Sequence, residues 1–375
     1  MNATATEIIT EEMPVTANGI PIRNLWHMLV YAWNEVILKN QWNAESETSP
    51  SLDALLASIL AKLVQQRLRI GIGRSYTNEG NLLRGLRGRV DLSKSLKRLA
   101  FENGQAYCRY HEYSHNVPKN QIIRSTLAWV VQIGQFGSDQ LRAEKLRQEL
   151  RRLVRGLDGI DLIELKVDFI RRQQLGRNDG DYRLMLAICD LLLQRHMPTE
   201  TAGSHRLPGL DRDGMTLHRI YESFIANFYK FHLLEWVVNA QAQLSWHLNK
   251  TSRYMPAMKP DLILQHRATG HMVVLDTKFT RKSLNLTPWG NFVFDSTHLY
   301  QLYAYLRTQD HVSDHHRCAS GILLYPSVSE PLSETIEVEG HLIHLMTINL
   351  AQPWNKIEDE LLHLISTIEN KMQSS

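Results

Sequence analysis

Apolar residues recur at helical spacing through much of the chain. Leu52, Leu55, Leu56, Ile59, Leu60, Leu63 and Val64 mark one face of a helix over 51–70, with Lys62, Gln65, Gln66 and Arg67 toward the other. The same spacing predicts helices over 120–133 and 181–195, the second closed by Pro198. Leu25-Trp26-His27-Met28-Leu29-Val30-Tyr31-Ala32-Trp33 reads as a buried helix with Asn24 at its cap, its aromatic rings core rather than binding platform. A short basic helix is expected over 93–101 and a charged one over 138–156. Strand-like stretches are shorter. Glycines punctuate 70–90 as in a small β-region with tight turns, and 107–115 has the aromatic content of a strand.

Further along, Tyr221, Phe224, Ile225, Phe228 and Tyr229 give a wide apolar stripe to a helix over 215–236. Two short apolar strands follow, 262–264 and 272–275, then a helix over 296–308 and a buried strand over 320–326. A β-rich stretch through Asn349 and a helix over 354–372 complete the chain. Residues 199–213 are rich in helix breakers and poor in periodicity, which places a domain boundary there. The expected division is a polar, disordered tail over 1–18, a first domain over 19–200, a linker over 201–214 and a second domain over 215–375.

Composition narrows the classes. With 43% hydrophobic and 22% charged residues, the 375-residue chain is an ordinary globular sequence. Its formal net charge of +3 is too small to mark a nucleic-acid binder, so any DNA surface must come from local clustering. Cys108, Cys189 and Cys318 are too scattered for a zinc knuckle or a disulfide framework, and fit a reducing, cytoplasmic location. The tail has no apolar core of a signal peptide, and no run of about 18 apolar residues predicts a membrane span. No G-x-x-x-x-G-K-[ST] occurs, so nucleotide hydrolysis through a P-loop is not expected.

The candidate chemistry lies in the two short strands. Pro260-Asp261 opens the first, and the second ends in Asp276-Thr277-Lys278. Alternation puts Asp276 and Lys278 on one face. With Thr269-Gly270 as a two-residue turn, Ala268 pairs with His271 and Asp261 falls opposite Lys278. Two carboxylates and an ammonium then share one end of a hairpin. Such carboxylates repel unless a cation lies between them, and Mg²⁺ prefers hard oxygen ligands, with Asp261 and Asp276 as its candidates and the Thr277 carbonyl as a third. The chemistry that suits this set is phosphodiester hydrolysis, with Lys278 holding the water or offsetting charge on the phosphate. A surface ion pair on an edge strand is the plainer alternative. The Thr277 side chain is expected on the opposite face, without consequence.

Weaker candidates surround this hairpin. Glu222, near the start of its helix, is either a further carboxylate of the site or ordinary compensation of the helix dipole. Gln301 and Tyr305 are four apart and share a helix face. Arg281 and Lys282, in a loop over 281–291 read as disorder-prone, are candidates to grip DNA. Arg84, Arg87 and Arg89, among glycines, contact a phosphate or a partner subunit, or else lie on a solvated hairpin. His311, His315, His316 and Cys318 match no familiar zinc spacing and read as a polar loop.

Taken together, these stretches resemble the McrC family, the nuclease subunits of the McrBC modification-dependent restriction system. The resemblance runs from Ile20 to the C-terminal helix. It is carried by Ile20-Pro21-Ile22-Arg23-Asn24, Gly85-Leu86-Arg87-Gly88-Arg89-Val90 and Asn120-Gln121-Ile122-Ile123-Arg124-Ser125-Thr126-Leu127, and in the second domain by Pro260-Asp261, Asp276-Thr277-Lys278 and the Gln301–Tyr305 pair. The last group is shared with the wider PD-(D/E)xK nucleases. The resemblance implies an α/β (α+β) protein: a mixed partner-docking domain, then a restriction-endonuclease-like domain with a central mixed sheet flanked by helices. Asp261, Asp276 and Lys278 would then be the cleavage residues with Mg²⁺. Gln301 and Tyr305 resemble the Q-x-x-x-Y element of RecB-like nucleases, which supports the site and the DNA strand. The family further implies an McrB-like AAA+ GTPase ring as partner, which uses the GTP and reads modified cytosine in double-stranded DNA. It also implies stimulation of that GTPase by this chain and pairing of nuclease domains in the active complex. Two other readings stand: a scaffold activating GTPase rings with a vestigial nuclease site, and a stand-alone RecB-like repair nuclease.

Overall fold

A computed structural model describes residues 19–36, 49–176, 179–196, 210–246, 253–280, 284–286, 292–328 and 332–373. Its two units do not follow the order of the chain: residues 1–52 group with 201–375, and 53–200 form the other. The segment that crosses over is α1 (Ile22–Ala32), which was expected in the first domain. Asn24 is not its cap. It lies inside the helix, fully buried, and its Nδ2 donates to the carbonyls of Leu350 and Gln352, both at 2.8 Å. A buried amide left without such acceptors would cost on the order of 1–3 kcal/mol, so these bonds tie α1 to the C-terminal part of the chain. The Tyr31 hydroxyl donates to Glu358 at 2.8 Å, and Asn227 donates to the Tyr31 carbonyl at 2.9 Å.

The 53–200 unit holds most of α2 (Leu52–Ile70), β1 (Ser75–Leu83), β2 (Arg89–Val90), α3 (Leu92–Lys97), β3 (Ala106–Ser114), α4 (Pro118–Ile133), α5 (Gln140–Gly156), α6 (Val167–Arg171) and α7 (Gly180–His196). The strands form one antiparallel sheet in the order β1-β3-β2. Asn120 explains part of the motif around it. Its buried amide donates to the carbonyls of Gly73 (2.8 Å) and His115 (2.7 Å), clamping the two strands together at the end of the ribbon where Ser75 pairs with Ser114. Gly88 is required by its turn: φ is +68°, and a Cβ there would lie 2.3 Å from the Arg109 carbonyl oxygen.

The second unit continues with α8 (Leu210–His232), β4 (Trp236–Ala240), β5 (Leu262–His266), β6 (Met272–Thr277), β7 (Leu284–Leu286), β8 (Phe292–Phe294), α9 (Ser296–Arg307), α10 (Asp314–Arg317), β9 (Ser320–Ser327), β10 (Ser333–Val338), β11 (His341–Asn349) and α11 (Trp354–Gln373). Six strands make a mixed sheet in the order β10-β11-β9-β6-β5-β4, parallel at β11–β9 and β9–β6 and antiparallel elsewhere. The helix expected over 215–236 stops at His232, β4 begins at Trp236, and β7 pairs with β8 across the stretch read as a loop.

Helix α9 covers one face of this sheet. Leu302, Tyr305 and Leu306 pack there with Val274, Leu323, Tyr325, Ile343 and Leu345. Gly321 sets how close the helix comes, because a Cβ at that position would meet Leu302 Cδ2 and Leu306 Cδ1 at 2.9 Å each. The alternate residues Val273, Leu275, Ile322 and Leu324 are buried on the other face, so the central strands are covered on both sides. Among the described residues no helix is long and apolar enough to cross a membrane.

Candidate active site

The β5–β6 hairpin forms, but not with the expected two-residue turn. Gln265 pairs with Met272, and the His266 N–H donates to the His271 carbonyl at 2.9 Å, so the loop has four residues, Arg267-Ala268-Thr269-Gly270. Tertiary bonds favour the longer loop. The Arg267 N–H donates to the Glu235 carbonyl (2.8 Å) and its Nε to the Leu234 carbonyl (3.1 Å), while Gly270 takes φ +73° and donates to the His266 carbonyl. The pairing Leu262↔Leu275, carried one step further, sets Asp261 opposite Asp276 rather than Lys278. The charge of Asp261 reaches Asp276, whose carboxyl it raises.

Asp261 Oδ2 is gripped by Thr277, whose N–H and Oγ1 donate to it at 2.7 and 2.6 Å. Thr277 is itself buried. The expectation that its side chain would be without consequence is thus corrected: its hydroxyl fixes one carboxylate of the pair. Asp276 shares the strand face of Val274 and so looks toward α9. It is only 2% exposed, and burial pushes its carboxyl up to about 6, the neighbouring charges of Asp261 and Glu222 adding to the rise and Lys278 opposing it. Lys278 Nζ lies 2.5 Å from Asp276 Oδ2, on the same side of the strand as expected. Lys278 is thus the charge partner of this buried oxygen. Lys278 also continues the sheet, its N–H donating to the Leu324 carbonyl at 3.0 Å.

Helix α9 brings the next pair. Lys278 Nζ donates to Gln301 Oε1 at 2.8 Å, Gln301 Nε2 donates to the Tyr305 hydroxyl at 2.7 Å, and that hydroxyl reaches the Lys259 carbonyl at 3.4 Å. The approach allowed by Gly321 is what puts Gln301 within reach of Lys278. Asp276, Lys278, Gln301 and Tyr305 thus form one chain of contacts.

Glu222 lies in the middle of α8, which begins at Leu210, so compensation of the helix dipole does not account for it. Its Oε1 accepts from Gln241 Nε2 at 2.7 Å. Gln241, which the sequence reading missed, follows β4 with φ +50°, an unusual conformation for a residue other than glycine. Its N–H also donates to the Asp261 carbonyl at 2.8 Å, so one residue ties Glu222 to the strand carrying Asp261. No local motif marks it; the short preceding strand, which the sequence reading did not identify, was the one signal on offer.

The donor set fits a divalent ion that keeps part of its water shell. Two carboxylates supply hard oxygens, and the charge of Asp261 raises the carboxyl of buried Asp276, a repulsion that a cation would relieve. Among the described residues no three His, Cys, Asp or Glu side chains form a ready-made metal cage, so waters and substrate oxygens would complete the shell. The loop histidines make no such cage either: His316 bonds to Ser313, and Cys318 is exposed. Arg281 and Lys282 lie outside the described residues. Arg84, Arg87 and Arg89 belong to the other unit and are exposed, with the Arg87 guanidinium 4.1 Å over the Tyr110 ring.

Known proteins fit this picture. The type IV methyl-directed restriction enzyme EcoKMcrBC of Escherichia coli (strain K12) is 27% identical over 357 residues, spanning 94% of this chain and 98% of that protein. Among solved structures, a refined half-complex from a tetradecameric assembly of Thermococcus gammatolerans McrB AAA+ hexamers with bound McrC aligns with a TM-score of 0.53. The identity is 18%, over 93% of this chain and 76% of that one, a likeness of fold. A cryo-EM structure of the Thermococcus gammatolerans McrBC complex aligns over 46% of this chain and 50% of that one, with 20% identity and a TM-score of 0.34. The family described as McrBC 5-methylcytosine restriction system component matches residues 9–326. With most of its length matched in this way, the chain belongs to the McrBC 5-methylcytosine restriction system component family.

Proposed function

We propose that this chain is the Mg²⁺-dependent DNA endonuclease subunit of a GTP-driven restriction complex directed at modified cytosine. The observation that carries the proposal is Asp276 within the field of Asp261, with Lys278 held between Asp276 and Gln301. Mg²⁺ at Asp261 and Asp276 would supply the charge that polarises a phosphoryl oxygen and lowers the pKa of a water. The chain's own residues do the remaining work. Thr277 fixes the orientation of Asp261 through two donors, and the sheet fixes Asp276. Lys278, kept in place by Gln301, sits where it can orient the attacking water or offset charge on the phosphate. Tyr305 holds Gln301 in turn. Glu222, steadied by Gln241, adds a further negative group at the margin of the site.

The division of labour follows from what the sequence lacks. Without a P-loop this chain needs another protein to use GTP. The relative of known structure comes from an assembly of McrB AAA+ hexamers with bound McrC, and a partner of that kind is proposed here. On this chain the 53–200 unit offers a docking surface. Arg84, Arg87 and Arg89 stand beside exposed Leu86, Leu92, Leu96 and Leu99, an apolar and basic surface that a monomer has little reason to leave bare. By this reading the chain also stimulates the partner's GTPase.

The test is Asp276→Ala assayed with an McrB-like partner, GTP, Mg²⁺ and methylated plasmid. Cleavage is expected to vanish while stimulation of GTP hydrolysis persists. Cleavage at the original rate would refute the nuclease assignment. No cleavage by the unaltered protein under the same conditions would favour a scaffold instead.

A further inference from the structure

Beyond the set above, α9 presents one more polar side chain to the same place. His298, Gln301 and Tyr305 stand at i, i+3 and i+7, and so share one face of the helix. Two of the three already touch Lys278 or the residue that holds it. His298 is half-buried one turn before Gln301, close enough to Lys278 to feel its charge.

Its ring is held from behind. His298 Nδ1 lies 3.1 Å from the Tyr325 hydroxyl, and the two rings tilt against each other with centroids 5.8 Å apart. Tyr325 is buried on β9, next to the Leu324 whose carbonyl receives the Lys278 N–H. Burial and the charges of Asp295 and Asp276 raise the Tyr325 hydroxyl above its ordinary range, so it keeps its proton. Among the described hydrogen bonds His298 Nδ1 is the acceptor on offer to that proton. With the hydroxyl donating to Nδ1 the ring proton sits on Nε2, and this is the tautomer taken below. Burial, then the charge of Lys278, hold the imidazole below its ordinary range and hence neutral near pH 7, with Asp295 opposing. In that tautomer the ring offers a neutral N–H at Nε2, on a side chain that feels the charge of Lys278.

We propose that His298 is a substrate-contacting residue of the nuclease site, its Nε2–H donating to a phosphate oxygen of the DNA strand being cut, with Tyr325 as its positioning residue. A phosphate is the group such a donor suits. The strand must pass Lys278 for cleavage, and its backbone oxygens are anionic acceptors. A neutral donor binds one of them without placing a second cation against Lys278. His298 takes this role only if the nuclease reading above holds.

The experiment uses the full chain with its GTPase partner, GTP, Mg²⁺ and methylated duplex, and reads single-turnover cleavage. His298→Ala is expected to slow cleavage roughly 10- to 100-fold, the range for losing one charge-assisted hydrogen bond. GTPase stimulation should stay as it was, and the thermal midpoint should fall by only a few degrees, as the Tyr325 hydroxyl loses its acceptor. His298→Gln, which supplies a neutral N–H, should recover most of the rate, and Tyr325→Phe should lose only a few-fold. A duplex carrying a methylphosphonate at the contacted phosphate should slow the unaltered protein and leave His298→Ala where it was. Cleavage by His298→Ala at the original rate overturns the proposal. So does a loss of rate that glutamine does not recover even where its thermal midpoint is that of the parent, which shows that an N–H at this position does not serve cleavage. Asp276→Asn runs in parallel. If it too cuts normally, the nuclease reading fails and His298 falls with it; if it is dead while His298→Ala is normal, only the phosphate contact is lost.

Discussion

Thr277→Val is the substitution that most sharply separates positioning from mere presence of the carboxylates. Valine keeps the shape of threonine on a buried strand end, so the β6–β9 pairing at Thr277↔Leu324 is undisturbed. What disappears is the Oγ1 donor, 2.6 Å from Asp261 Oδ2, while the main-chain donor at 2.7 Å remains. A hydrogen bond to a charged group contributes about 1.5–3 kcal/mol, and the partly exposed position of Asp261 reduces this to about 1–2 kcal/mol. If that energy serves to orient Asp261, it should reappear as weaker ion binding, roughly 5- to 30-fold. The assay is calorimetric titration of Mg²⁺ or Mn²⁺ into the full chain, with the Mg²⁺ dependence of single-turnover cleavage beside it. Weaker binding with near-normal cleavage at saturating ion is expected. Unchanged affinity would show that the Thr277 hydroxyl does not orient Asp261 for an ion, and the account of that contact would be wrong.

Other consequences can be checked alongside. Gly321→Val should force Leu302 and Leu306 off the sheet at an overpacking cost of about 1–3 kcal/mol, lowering the thermal midpoint and cleavage together as Gln301 loses Lys278; a variant as stable and active as the parent would deny that Gly321 sets the approach of α9. Gln241→Ala should loosen Glu222 and the Asp261 carbonyl, shifting the Mg²⁺ dependence of cleavage more than its maximal rate, and an unaltered Mg²⁺ curve would remove Gln241 from the site. Asp276, pushed up to about 6 in the metal-free protein, should make Mg²⁺ affinity full above that pH and falling about tenfold per unit below it, because the ion needs the carboxylate form. The stability sign is the reverse of that for a paired carboxylate: the folded form binds more protons than the unfolded, so metal-free stability should fall as pH rises from about 4 to about 6. Denaturant midpoints across that window check it, a rise in the metal-free protein being the contrary result.

Much of the second unit was legible because its signals are local. The apolar runs around Leu262 and Val274, the Pro-Asp opening and the Asp-Thr-Lys ending need only strand alternation to place Asp276 beside Lys278. The register was not legible, because the four-residue loop is favoured by Arg267 bonding to main-chain carbonyls at positions 234 and 235, outside the hairpin. Thr277 was misjudged for a related reason: Asp261 stands just before the regular strand, where simple alternation no longer says which side chains it meets. The boundary of the first unit failed on a contact of still longer range, Asn24 with carbonyls more than three hundred positions later, which no periodicity within α1 encodes. Glu222 could be weighed only as near a helix start, since the apolar stripe did not reveal that α8 begins at Leu210.

The central claim is that Asp261 and Asp276 hold one divalent ion between them. The most direct measurement is a crystal structure of the full chain soaked in Mn²⁺, with the ion located by its anomalous scattering. One peak is predicted at about 2.1–2.2 Å from an oxygen of each carboxylate, with Asp261 Oδ2 still accepting from Thr277 and Lys278 still on Gln301. A site left empty at saturating ion, or an ion bound elsewhere while Asp276 keeps its present contacts, would contradict it.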